Sequence, residues 1–403
     1  MPESSGVPLF STERAANCPF DPPPQRLRLL REEPISRVRI WNGATAWLVT
    51  RHADQAALLR DPRLSADNRL PNYPDVSPSL GATLSENRTF ITMDDPAHQK
   101  DLARHTHAFC VKRLRGLRPQ IEKVIADLLD GMEQTGPPAD LVTDFALPLA
   151  SKVICELLGV PYSDHAFFQR ATAVLLNNTV SAEEGSAASK QLVDYLIDAV
   201  TAKLADPAED LLSDLATRYL AHGLITPEEC GKQVRLLLVS GHESTAHMVS
   251  LGVLALLEHP DQVAAVRDGG QEVVTRAVEE LLRYLTVVQM GRRRVAVEDI
   301  PIGEHLIRAG DAVICAGDTA NRDPDVFDNP DRLDITRSAR GHHAFGVGIH
   351  QCLGQNLARL ELQLAYPAIF KKFPTLYLDR PLQELSFRDH MVVYGVDELP
   401  LRW

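Results

Sequence analysis

Apolar residues recur three and four apart over 117–132, 144–158, 189–204 and 227–258, a spacing that gathers them on one face of an α-helix. Alternation with a period of two appears instead in "VRIWNGATAWLV", where apolar residues flank Asn42-Gly43 and predict a hairpin closed by a two-residue turn. Strand-like runs return in "RVAVEDIPI", "HLIRAGDAVICA" and "MVVYGVDELPLRW". The pattern is that of a mainly α protein with small β-sheets near its beginning and towards its end. Two stretches, 68–90 and 177–189, are rich in turn-forming or small polar residues and read as long loops. Helical patterns of the same kind continue on both sides of each, so residues 1–403 are read as a single domain.

The longest helical pattern opens with Thr226, Pro227 and Glu229, a capping box with proline in the first turn, and stops at His259-Pro260. At about 1.5 Å per residue it spans roughly 48 Å and must cross the molecule. Its flanks are apolar, yet its centre reads "SGHEST". Gly241 costs roughly 1 kcal/mol relative to alanine in a helix interior, and hydroxyls that bond back to main-chain carbonyls favour a local bend or opening. The alternative is a solvent-facing polar stripe. Polar residues on more than one helix face argue against it and for a proton path built on Glu243, Ser244 and Thr245.

Of the 403 residues, 44% are hydrophobic and 24% charged, ordinary values for a globular chain. A formal net charge of −12 speaks against nucleic acid as the main partner. No basic leader and no apolar run of membrane-spanning length is visible, and six scattered cysteines without a C-x-x-C pair read as reduced thiols. These features point to a cytoplasmic protein.

One cysteine stands apart. "HAFGVGIHQCLGQNL" surrounds Cys352 with Gly346, Gly348 and Gly354, and the residues that follow take up helical spacing. Cys352 therefore sits at a helix N-terminus, where unpaired N–H groups favour a thiolate suited to a metal. A buried core cysteine is one alternative. A zinc site with His342, His343 and His350 is another, although zinc gives no reason for the glycines or for Phe345.

Phe345-Gly-x-Gly-x-His350-x-Cys352-x-Gly354 resembles the haem-binding loop of the cytochrome P450 superfamily. The resemblance extends over the whole chain and implies the cytochrome P450 fold. It makes Cys352 the proximal ligand of a haem b iron (iron protoporphyrin IX), with thiolate donation as the family's electronic device. It also implies that Phe345 shields the sulfur and that His350 reaches a haem propionate. "MDDPAHQKDL" and "GRRRVAVEDI" resemble segments that supply two further propionate partners, His98 and Arg294. Leu102 stands where the family often has an arginine, so that contact is either missing or supplied by Arg104. "EELLRYL" resembles the family's E-x-x-R helix, so that Glu280 and Arg283 form a buried brace joined by Arg332 from "NPDRLD". "SGHEST" resembles the oxygen-activation motif, with Ser244 in the place of a threonine.

The resemblance is closest to actinomycete members that tailor natural products. It implies a monomeric monooxygenase that inserts one atom of O2 into a largely apolar small molecule, by hydroxylation or by oxidative ring closure or coupling. Electrons would come from ferredoxin and ferredoxin reductase, docking on the basic segment Lys100–Arg118. Two other functions remain open on the sequence: a nitric-oxide-reductase-like haem-thiolate enzyme, and a haem protein that binds ligands without turnover.

Overall fold

The computed structural model describes residues 6–403 apart from 16 and 17; the opening residues 1–5, part of the stretch read as carrying no basic leader, lie outside it. Helices dominate, and the longest is Pro227–Leu257, capped by the reciprocal Thr226 and Glu229 bonds that the sequence predicts. Helices Leu147–Leu158, Ala182–Ala202 and Gln355–Lys372 pack around it. The Tyr366 hydroxyl of Gln355–Lys372 donates to the Met248 carbonyl at 2.6 Å, so the helix that follows Cys352 is tied directly to the central one. The shared core is apolar and continuous, running through Leu149, Ile154, Leu238, Leu254, Leu281 and Ile369.

A five-stranded sheet lies to one side, in the order Ile35–Arg39, Thr45–Val49, Ala312–Cys315, Arg292–Ala296, Leu64–Ser65. Thr45–Val49 runs parallel to Ala312–Cys315, and the other neighbours are antiparallel. Arg294 pairs with Val313 and Arg292 with Cys315, which puts both arginine side chains on one face of the sheet.

Several elements differ from the sequence reading. The first hairpin turns over three residues, Trp41, Asn42 and Gly43. Ile40 and Ala44 are still bonded at 2.9 Å, and Gly43 takes φ +87°. A left-handed glycine closing a three-residue loop gives the twist that a two-residue Asn-Gly turn would otherwise supply. The loop reading of 68–90 hides a helix, Pro78–Glu86, whose N-terminus is held by Ser77. Likewise, Ala182–Ala202 begins well inside 177–189, started by the Ser181 and Glu184 capping box. Composition alone read both starts as loop because capping residues are also turn residues. The run from 391 contributes isolated bridges, Val288 with Val393 among them, and only Pro400–Arg402 is a strand.

The central helix continues without interruption through "SGHEST". Ser240 donates to the Leu236 carbonyl and Ser244 to the Ser240 carbonyl, each at 2.7 Å, so both hydroxyls bond back to the helix without opening it. No helix among the described residues is long and apolar enough to cross a membrane.

Candidate active site

A cavity of about 370 Å³ lies between the central helix and the Cys352 loop. Ser240, Gly241, Ser244 and Thr245 face it from one side, and Phe345, Cys352 and Gly354 from the other. Leucines and valines, among them Leu84, Leu176, Leu237 and Val393, make up most of the remaining wall.

The cysteine loop owes its shape to two glycines. Gly346 and Gly348 have φ of +74° and +79°, the left-handed region that side-chain-bearing residues disfavour. A Cβ on Gly348 would lie 2.4 Å from the Leu59 carbonyl oxygen, so the loop seats on the end of helix His52–Leu58 only without one. The Cys352 N–H donates to the Phe345 carbonyl at 2.9 Å, closing the loop so that the thiol is enclosed by protein yet accessible from the cavity. Burial raises the thiol's pKa. The N–H groups of Gly354 and Gln355 and the charges of Arg292 and Arg359 pull the other way without prevailing. The helix terminus and the two guanidiniums thus act in the direction that favours a thiolate, against the desolvation of the sulfur. Phe345 packs beside the site, with the Arg359 guanidinium 4.5 Å from its ring centroid.

At the sheet-facing end, His98, His350 and Arg294 converge. The two imidazoles stand 4.3 Å apart, and both ring nitrogens of His350 are buried without a hydrogen bond. Burial first, then the charges of Arg294 and His98, hold His350 down to about 3. Burial also lowers Arg294. This donor set fits the two propionates of a haem, and the Cys352 thiol fits its iron. Arg292, which the sequence reading passed over, joins them: it lines the same cavity, donates to the Ala344 carbonyl at 3.1 Å and lies close enough to Cys352 to feel its charge. Its two-residue offset from Arg294 on a strand was the signal available.

Arg104 is not part of this cluster. Its guanidinium bonds to Asp101 and, at 3.3 Å, to the Leu224 carbonyl, pointing towards the start of the central helix. The contact absent at Leu102 is therefore not replaced by Arg104.

Glu243 faces away from the cavity that Ser244 and Thr245 share. It lines a second pocket of about 340 Å³ with His242, His247, Arg388 and the exposed Asp397. Its carboxylate accepts from His247 at 3.0 Å and from Arg388 at 2.7 Å, while Arg388 also contacts His247. Burial alone would raise its pKa, but the His247 hydrogen bond and the charges of His247 and Arg388 bring it to about 2. Glu243 and Ser244 stand about 100° apart around the helix, and His247 and Arg388 hold the acid in the second pocket. His247 and Arg388 were missed from sequence: a histidine four residues on is visible, but Arg388 arrives from 145 positions away.

Glu280 and Arg283 are fully buried and joined at 2.7 and 2.8 Å. The third arginine is Arg337, whose Nε lies 3.2 Å from Glu280, and not Arg332. Arg332 has an exposed side chain and contributes only its carbonyl, which accepts from Arg283 at 3.3 Å. Arg283 also donates to the Asn321 carbonyl at 2.7 Å, and the Asn321 amide oxygen accepts from the His343 N–H at 2.6 Å. The brace thus reaches the first residues of the cysteine loop. His342 and Arg359, bonded to Glu279, fasten the loop's other side. The His342 imidazole is thereby occupied, and among the described residues no cluster of metal-ligating side chains of the zinc type occurs.

Glu361 was also missed. It lines the cavity from helix Gln355–Lys372, is buried, and has one carboxyl oxygen without a partner. Burial raises its pKa well above the ordinary value.

Comparison with known proteins matches this site. The Cytochrome P450 family model covers residues 177–394. The chain is 45% identical over 402 residues to cytochrome P450-SU2 of Streptomyces griseolus, covering 100% of this chain and 98% of the relative. The crystal structure of GfsF, a cytochrome P450 of Streptomyces halstedii, superposes with a TM-score of 0.91 at 44% identity, over 98% of this chain and 100% of the other. The structure of MycCI from Micromonospora griseorubida, a mycinamicin VIII C21 methyl hydroxylase, gives 0.93 at 37%, over 98% and 100%. With whole-length identity to bacterial members and a glycine-shaped cysteine loop beneath a hydroxyl-bearing helix, this chain belongs to the cytochrome P450 family, an oxidoreductase of the haem-thiolate monooxygenase type.

Proposed function

We propose that residues 1–403 act as one monomeric domain that tailors a natural product, placing one oxygen atom on a largely apolar small molecule. The observation that carries this reading is the shared cavity: Cys352 opens onto it from below, Ser244 and Thr245 from above, and apolar side chains line the remainder. Haem b, held by Cys352 and by His98, Arg294 and His350 at its propionates, would supply O2 activation. Relatives such as MycCI, which carries mycinamicin VIII in its structure, support the substrate class.

The protein's own contribution is orientation, exclusion of water and proton supply. The apolar wall keeps bulk water from the reacting centre. Ser244 holds its proton on the Ser240 carbonyl, but it lacks the second γ substituent that makes threonine stiff, so a rotation about χ1 aims the hydroxyl into the cavity. Protons are proposed to enter on the side of the pocket that Glu243 lines. There Glu243, kept ionised by Arg388 and His247, holds the His247 imidazole beside the helix.

Ser244→Ala tests this division. Haem content and substrate binding are expected to stay at the parent level, while product formed per nicotinamide consumed falls about tenfold or more and hydrogen peroxide makes up the difference. Unchanged coupling in Ser244→Ala would remove the hydroxyl from the mechanism.

Electrons are proposed to come from an acidic ferredoxin and its reductase. Within 100–118, Arg104, Arg113 and Arg118 are engaged by Asp101, Glu209 and Glu122. Lys100, Lys112 and Arg115 are exposed and form no ion pair among the described residues. Reduction is expected to slow as ionic strength rises, and Lys112→Glu with Arg115→Glu should slow it severalfold at low salt. A salt-independent rate in stopped-flow reduction would exclude this surface.

A further inference from the structure

Arg235 lies on the central helix nine positions before Ser244 and lines the same cavity, flanked by Leu236, Leu237 and Val239. It is 5% exposed. Among the described residues it makes no ion pair, and its buried Nε has no hydrogen-bond partner. Burial lowers its pKa to about 10, still charged at neutral pH, and no neighbouring charge acts on it. His98, Arg294 and His350 do not line the cavity beside it, so it stands apart from that cluster. The one carboxyl among the described cavity-lining residues, Glu361, lies on another helix with its pKa raised by burial, and does not reach it. A buried guanidinium without a counter-charge is costly unless something pairs with it. Two other buried arginines have such partners, Arg283 with Glu280 and Arg26 with Asp318, while the buried Arg14 is held by the carbonyls of Pro19, Phe20 and Asp21, a support that Arg235 lacks.

We propose that Arg235 is the anchor for an anionic group, a carboxylate or its equivalent, on the substrate. The inference rests on the monooxygenase reading above and adds the substrate's chemistry: an amphipathic acid, apolar along most of its length, bound with its charged end away from the site of oxidation. Nine helical residues rise about 13 Å, and a helical side chain leans towards its own N-terminus, which carries the guanidinium further from Ser244. The anion is thus expected on the order of ten bonds from the oxidised carbon, counting an extended chain at about 3.4 Å per three bonds.

The test uses the haem-loaded enzyme and ω-(imidazol-1-yl)alkanoic acids of six, ten and fourteen carbons, each beside its methyl ester, with binding read from the Soret shift. The imidazole anchors one end at iron, and the other end reports on Arg235. At ten or fourteen carbons the acid is expected to bind about tenfold or more tightly than the ester, the size of a charge-assisted hydrogen bond. Arg235→Gln is expected to erase that preference and leave ester binding unchanged, while Arg235→Lys keeps part of it. Equal binding of acid and ester by the parent, or a preference that survives Arg235→Gln, overturns the proposal. The parent comparison needs no variant, so a poorly folding Arg235→Gln does not shelter it. A normal thiolate-type CO spectrum with no acid preference refutes the anion site alone, whereas loss of that spectrum in the parent refutes the haem-thiolate reading together with it.

Discussion

Cys352→Ala is expected to abolish the red-shifted Soret band of the reduced CO complex and all oxygenation. Cys352 is the one cysteine among the described residues that lines the cavity; Cys155, Cys230 and Cys315 are buried elsewhere, with thiols that burial pushes up to about 12. None of them can take its place as an anionic ligand. Cys352 would supply the sulfur ligand to a haem iron, and an alanine has no donor atom to offer in its place. His350 sits two residues away, but it lies with His98 and Arg294 at the propionate end. A thiolate-type CO spectrum in Cys352→Ala would overturn the ligand assignment.

Glu280→Ala is expected to be the most destabilising substitution among the residues considered. The carboxylate accepts from Arg283 twice, from the Asp334 N–H at 3.0 Å and from Arg337 at 3.2 Å. Its removal leaves the fully buried Arg283 charge facing only the carbonyls of Asn321, Pro330 and Arg332, a loss of about 3–5 kcal/mol. Because Arg283 also holds Asn321, and Asn321 holds His343, the cysteine loop should loosen as well, so the variant is expected to purify with little haem. Arg332→Ala should melt close to the parent, since its side chain is exposed and its carbonyl survives the change. Arg337→Ala should fall between the two. Thermal melting with haem quantitation ranks the three, and an Arg332→Ala as damaged as Glu280→Ala would contradict the assignment of Arg337.

Much of this molecule was legible in the chain itself wherever the deciding interaction is local. The capping box at Thr226, the long apolar periodicity after it, the glycines that shape the turn before Cys352 and the three-residue offset between Glu280 and Arg283 are short-range patterns. Backbone sterics and helix geometry read them the same way in any surroundings. The turn at Gly43 and the helix starts at Ser77 and Ser181 were read less well for the converse reason: the same small polar residues serve turns and caps, and which they serve depends on what packs beyond them.

What only the tertiary structure decided concerns partners and facing. That Glu243 and Ser244 open onto different spaces follows from Arg388 arriving out of the C-terminal segment to claim the acid. That Arg337 and not Arg332 completes the brace depends on how 330–337 folds back over Glu280. That Arg104 turns away and Arg292 turns in was set by Asp101 on one side and the strand pairing of Arg292 with Cys315 on the other. The desolvation of the Cys352 sulfur was likewise beyond the sequence, because it depends on everything that encloses the sulfur, while the helix terminus depends only on the residues that follow it. A charged side chain buried without its counter-charge, as Arg235 is, appears in no one-dimensional pattern, since it is defined by the partners that the fold brings near and by those it keeps away.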